Sequence, residues 1–217
     1  MAAVRFHDRA EAGRRLGERL AKFAADPDAI VLALPRGGVV TGAEVARRLG
    51  APLDVILVRK LGVPGHEELA MGAIASGGVR VLSEDVIDTL GISERDVAAV
   101  AAAEEDELER REQAYRGART PPDVEGRTVI LVDDGLATGA TMRAAAAVIR
   151  AQAPKRLVVA VPVAPAATCA ELGNVAHEVI CLQTPDNFRA VGEWYEDFSQ
   201  TTDEEVRRLL GTDATVG

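Results

Sequence analysis

Five short apolar runs constrain this chain more than any other feature: Ile30–Leu34, Leu53–Val58, Val129–Val132, Leu157–Val161 and Val179–Leu182. Strands apolar on both faces must be covered on both, which is the signature of a parallel sheet between helices. The stretches between the runs read as helices. Asp8 and Glu11 form a capping-box-like start, followed by Ala12, Leu16, Leu20 and Phe23 at helical spacing. A second helix is predicted from about Val40 to Leu49, closed by Gly50, a third from Thr141 to Ile149, and a short one over Ala166–Leu172. The alternation predicts an α/β fold: an open, mostly parallel sheet flanked by helices.

Other segments depart from that alternation. Residues 61–68, rich in Gly and Pro, read as a loop, and Gly72–Ser76 and Val79–Leu82 as a small hairpin turning at Gly77-Gly78. Helical patterning starts at Ser83 and breaks at Gly91; Ser93 then caps a long helix to about Arg116. The charges from Glu104 to Arg111 mix signs at three- and four-residue spacing, as on a solvated helix face. Pro121-Pro122 ends the helical stretch, and strand–helix alternation resumes at once. The expected organisation is one domain over residues 1–217, with 83–119 as a helical insertion and 184–210 as a C-terminal hood or cover.

Composition narrows the function classes. Aromatic residues are only 3%, so the core must be built from Ala, Val, Leu and Ile. A net charge of −9 argues against a nucleic-acid or acidic-membrane binder. No apolar stretch approaches the roughly 18 residues of a membrane span, and the beginning of the sequence lacks a signal peptide's apolar region. Two cysteines, Cys169 and Cys181, make neither a disulfide framework nor a structural zinc site, and Cys181 is expected to pack as a small hydrophobe. A reduced, cytoplasmic protein is the expectation.

The chemistry concentrates in Val129-Ile130-Leu131-Val132-Asp133-Asp134-Gly135-Leu136-Ala137-Thr138-Gly139-Ala140-Thr141. Two carboxylates end a buried strand, and a Gly- and Thr-rich turn opens a helix. Open parallel sheets bind ligands at that edge. Backbone N–H groups and a helix N-terminus suit a phosphate, to which Thr138 and Thr141 can add hydroxyl donors. Asp133 and Asp134 would repel an anion, but they suit the vicinal hydroxyls of a sugar, so the segment reads as a site for a sugar with a terminal phosphate. It lacks the Gly-Lys-Ser/Thr of nucleoside triphosphatases, and Gly135 and Gly139 do not make the dinucleotide fingerprint.

That segment resembles the PRPP-binding motif of type I phosphoribosyltransferases: a hydrophobic run, two acids, then Thr-Gly and a further Thr. The resemblance implies that Asp133 and Asp134 hold the ribose hydroxyls, and that Gly135 and the stretch Ala137, Thr138, Gly139, Ala140 and Thr141 serve PRPP, the stretch by wrapping its 5′-phosphate. Leu34-Pro35-Arg36-Gly37-Gly38 matches the family's diphosphate loop, often built on a strained or cis non-proline peptide; paired glycines allow such a backbone. Arg59-Lys60, expected to end the second strand, matches the family's basic contact to the diphosphate. The segment after Lys60 matches the flexible catalytic loop, with His66, Glu67 and Glu68 as its polar members.

The whole sequence looks close to stand-alone bacterial members of that family. The implied reaction moves the 5-phosphoribosyl group from PRPP to a nitrogenous acceptor, such as a nucleobase, and releases pyrophosphate. The residues assigned to catalysis are Asp133, Asp134, Lys60 and Glu68. The implied cofactor is Mg²⁺, met by Asp133 and Asp134 through water or the ribose hydroxyls. Phe188 and Trp194 are the candidates for base contact, and a homodimer is implied. Family members that use 6-oxopurines carry a lysine near the end of the strand after the motif helix; here Lys155 lies at that strand's other end. The competing reading is a PRPP- or nucleotide-sensing regulator without turnover.

Overall fold

A computed structural model describes residues 5–117 and 119–212. Helix α1 (Arg9–Arg19) starts where expected, with the Asp8 carboxylate accepting the Glu11 N–H. Strand β1 (Ala29–Ala33) runs through the core into helix α2 (Gly37–Leu49), followed by β2 (Leu53–Val55). A second β unit comes next: β3 (Val58–Val63), β4 (His66–Ala75) and β5 (Val79–Leu82). Helices α3 (Glu84–Leu90) and α4 (Glu94–Arg116) follow. The alternation then resumes with β6 (Thr128–Val132), α5 (Ala140–Ala151), β7 (Arg156–Val163), α6 (Ala166–Leu172) and β8 (Glu178–Gln183), and α7 (Asp203–Leu210) comes last.

Five strands form a wholly parallel sheet in the order β2-β1-β6-β7-β8. Its two faces sort by residue parity, as pleating requires. Val31, Ile130, Val132 and Val158 pack under α1 and α2 against Leu16, Leu20 and Val45. Ile30, Leu32, Leu131 and Val159 pack under α5 and α6 against Met142, Ala145, Ile149 and Leu172. The α/β architecture is therefore the one read from the apolar runs. The chain order reverses between β1 and β6, whose C-terminal ends lie side by side with Ala33 opposite Val132. That is the switch point where such sheets open a crevice for ligands.

Three expectations are corrected. The Leu53–Val58 run is not one strand: β2 ends at Val55, Ile56 and Leu57 carry the chain across, and β3 begins a separate antiparallel sheet, β3-β4-β5. Residues 61–68 are not a loop but the turn end of the β3–β4 ribbon, with the turn itself confined to Pro64-Gly65. Of the two glycines that suggest a loop, Gly65 takes the turn's positive φ, and a Cβ on Gly62 would lie 3.0 Å from the Glu67 carbonyl oxygen. Finally, Cys169 and Cys181 are joined in a disulfide, so Cys181 is not a free apolar filler. Helix α6 packs directly on β8, which brings the two sulfurs together. The bond removes the reduced-thiol argument for a cytoplasmic setting. Among the described residues no helix is long and apolar enough to cross a membrane.

Helix α4 is anchored at its end by a buried cation. Arg116 donates to the Asp54 carboxylate at 3.1 Å, to Glu112 at 2.8 Å and to the Val55 carbonyl at 2.6 Å. The helix lies over the antiparallel sheet, where Val97, Ala101 and Leu108 join Leu61, Met71 and Ile74 in one apolar cluster.

Candidate functional site

The two loops singled out by the sequence meet at the β1/β6 switch point. The Leu34 N–H donates to the Val132 carbonyl at 2.9 Å, which fixes the start of one loop against the end of the other strand. The Pro35–Arg36 peptide is cis, as the resemblance implied. Helix α2 starts at Gly37, three residues earlier than its periodicity suggests, with Arg36 as its N-cap. Gly37 and Gly38 are needed for space rather than for a positive φ. A Cβ on Gly37 would stand 2.0 Å from Asp134 Oδ2, and one on Gly38 would stand 2.9 Å from Asp133 Oδ1. The two glycines and the two acids are thus one packed unit.

The acids differ in their partners. Asp133 Oδ1 accepts the Asp134 N–H at 2.8 Å. Asp134 Oδ2 accepts Arg9 Nε at 2.7 Å, and the Asp134 carbonyl accepts the Tyr195 hydroxyl at 2.5 Å. Burial pushes the Asp133 carboxyl well above the ordinary carboxylate range, and the neighbouring Asp134 charge pushes it further. Burial raises Asp134 as well, but Arg9 opposes that shift. Tyr195 is also raised, chiefly by burial.

The Thr-Gly turn lies where β6 leads into α5. Gly139 takes a positive φ of 69° as the N-cap of α5. The turn is braced from outside: Thr168 on α6 donates its hydroxyl to the Ala137 carbonyl, and Arg143 donates to the Thr138 carbonyl. Thr138 and Thr141 are exposed, so their hydroxyls are open to a ligand. Gly135 lies under the C-terminal segment, where a Cβ would stand 2.5 Å from Val191 Cγ1.

Arg59 and Lys60 lie within the antiparallel ribbon rather than at a parallel strand's end. Arg59 Nε donates to Glu104 of α4 at 2.5 Å. Even so, both residues line a cleft of about 560 Å³ that also reaches Glu67, Glu104 and Thr141, so ribbon, long helix and motif helix share one opening. Glu68 belongs to β4, but its side chain lies outside the described residues. Arg36 faces Asp203 at 3.6 Å. Phe188 and Trp194 pack, partly buried, against the cluster of Phe6, Ala12, Val163 and Tyr195. Trp194 Nε1 is buried, with no hydrogen-bond partner among the described residues. Among the described residues no group of three or more His, Cys, Asp or Glu side chains could hold a metal ion by itself.

Sequence reading missed Arg9, Arg143 and Tyr195. Arg143, in the first turn of the motif helix, was within reach of periodicity. Arg9 meets Asp134 across 125 positions, and no local pattern signals such a contact.

The phosphoribosyl transferase domain model matches residues 9–198, most of the chain. The chain belongs to the type I phosphoribosyltransferase family. A Mycobacterium tuberculosis H37Rv protein named "Putative phosphoribosyl transferase" is 47% identical over 205 residues, or 94% of this chain. This phosphoribosyltransferase-family chain spans only 46% of that relative's length. The crystal structure of TT1426 from Thermus thermophilus superposes with a TM-score of 0.87 at 46% identity, covering 95% of this chain and 98% of that one. A shorter match, 36% identical over 106 residues, is to the "Bifunctional protein PyrR" of Chloroflexus aurantiacus, covering 47% of this chain and 51% of that protein.

Proposed function

We propose that this chain transfers the 5-phosphoribosyl group of PRPP to a nitrogenous acceptor and releases pyrophosphate. One observation carries the reading: the acid pair at the end of β6 and the Arg36-Gly37-Gly38 loop at the end of β1 are packed into one unit at the switch point. Asp133 and Asp134 serve the ribose hydroxyls. The 5′-phosphate sits on Ala137–Thr141, with the N–H groups that open α5 and the Thr138 and Thr141 hydroxyls as donors. The diphosphate lies toward Arg36, Gly37 and Gly38, with Arg59 and Lys60 facing it from the ribbon. The acceptor enters from the C-terminal segment that carries Phe188 and Trp194.

In the reaction the acceptor nitrogen's lone pair forms the bond to C1 as the C1–O bond to the diphosphate breaks. That bond's electrons leave on pyrophosphate, and the nitrogen gives up its proton to water. Positive charge develops at the sugar, so a carboxylate beneath it stabilises the transition state, while Arg36 and Lys60 stabilise the leaving charge. Mg²⁺ fits this donor set because it takes one or two carboxylates and fills its remaining positions with water and phosphate oxygens; Asp133 and Asp134 would hold it indirectly. We also infer a homodimer, which sedimentation analysis would test.

Phosphorus NMR of PRPP with Mg²⁺, the protein and a panel of nucleobases and simple amines tests the assignment. Pyrophosphate appearing with one acceptor is the expected result. PRPP lines that broaden with no pyrophosphate would overturn turnover in favour of a sensor. Unchanged spectra would overturn both readings.

A further inference from the structure

We propose that Arg9 is a positioning residue of this site, holding Asp134 in place and cancelling its charge where a polyanionic substrate must bind. The inference rests on the phosphoribosyl-transfer reading and adds a residue from outside its motifs. Arg9 is the first residue of α1, where the helix dipole disfavours a cation, so helix stability does not account for it. Its partners do. Nε donates to Asp134 Oδ2 at 2.7 Å, Nη1 donates to the Ser199 carbonyl at 2.7 Å, and Cζ lies 3.9 Å from the centre of the Phe198 ring. The Arg9 and Asp134 side chains are only 11% and 14% exposed, so solvent screens the pair weakly.

The same guanidinium touches the second loop. A Cβ on Gly37 would meet Asp134 Oδ2 at 2.0 Å and Arg9 Nε at 2.8 Å, so Arg9 closes the space beside the Arg36-Gly37-Gly38 turn. One side chain thereby ties together the acid pair, the turn and the C-terminal segment. Only a planar fork can donate in two directions while stacking on a ring, so lysine is a partial substitute at best. Chemically, PRPP brings several negative charges to two adjacent carboxylates. With Asp134 paired to Arg9, the acid pair presents one net negative charge instead of two. With the guanidinium gone, Asp134 would lose the contact that sets its rotamer and would repel both Asp133 and the ligand.

The test uses the full chain with Arg9→Met, Arg9→Lys, Asp134→Asn and the Arg9→Met/Asp134→Asn pair, with exposed Arg19→Met at the far end of α1 as control. Calorimetry with PRPP and Mg²⁺ is run well below each variant's melting point, so that only folded protein is compared. Arg9→Met should raise Kd about tenfold, Arg9→Lys should recover part of the loss, and Arg19→Met should stay within about twofold of wild type. In the Asp134→Asn background, Arg9→Met should add less than about threefold, because its partner is already gone. An Arg9→Met protein that binds like wild type, or losses that multiply in full, would overturn the proposal. If wild type itself does not bind PRPP, the transfer reading fails, and the ligand-free proteins still decide the pairing. The melting-point change of the double variant should then differ from the sum of the two single changes, and additive changes would overturn it.

Discussion

At the level of single residues, Gly37, Gly38, Asp133 and Asp134 occupy one another's space, and this makes sharp predictions. Gly37→Ala places a Cβ 2.0 Å from Asp134 Oδ2 in a region held by Arg9. It should cost about 1–3 kcal/mol in urea unfolding, as overpacking does. Asp133 predicts the opposite sign for stability. Its carboxyl is raised by burial and by Asp134, so at neutral pH the ionised form works against the fold. Asp133→Asn should raise the melting temperature while weakening PRPP binding. A raised carboxyl contributes stability that is present below its unfolded pKa and lost as pH rises through the folded one. The advantage of Asn should therefore be largest at and above neutral pH and shrink as pH falls toward the ordinary carboxylate range; a gap that widens in acid would contradict the assignment. The acids, the glycines and the Thr-Gly turn were legible because each lies within a few positions of its partners in the motif. The reason for Gly37 and Gly38 was not, because the need for space comes from side chains almost 100 positions away.

Among elements, the buried parallel strands could be read because burial on both faces leaves an uninterrupted apolar record. The ribbon could not. Gly62, Pro64 and Gly65 resemble loop composition, yet only Pro64-Gly65 turns the chain. The Leu53–Val58 run hid a crossing between two sheets, since the residues that bridge them, Ile56 and Leu57, are buried as deeply as strand residues. The docking of α4 depends on Arg116, whose side chain is 1% exposed beside Asp54 and Glu112. Arg116→Met leaves those carboxylates without their cation and should cost about 3 kcal/mol, the usual penalty for breaking a buried pair. Hydrogen exchange should show the loss concentrated in α4 and β2. The Cys169–Cys181 bond staples α6 to β8 and closes a short loop. Reducing it should cost about 2–3 kcal/mol of unfolding free energy. Thr168, next to Cys169, braces the Ala137 carbonyl, so exchange protection around the Thr-Gly turn should fall with reduction.

Taken whole, the molecule joins the two ends of its described chain over the switch point. Phe6 pairs with Tyr195, the Phe6 N–H donates to the Trp194 carbonyl, and Arg9 reaches Ser199. The aromatic C-terminal segment stands out in the sequence, but its coupling to the beginning of α1 was not legible, because those contacts span about 190 positions. The parallel sheet supplies a rigid edge, the antiparallel sheet and α4 wall a cleft beside it, and the joined ends close over Gly135 and Asp134. The central claim is that this edge binds PRPP through its acid pair. The most direct test is calorimetric titration of PRPP with Mg²⁺ into wild type and into the Asp133→Asn/Asp134→Asn double variant, each verified as folded. The account predicts saturable binding by wild type and none by the double variant; equal binding by both would contradict it.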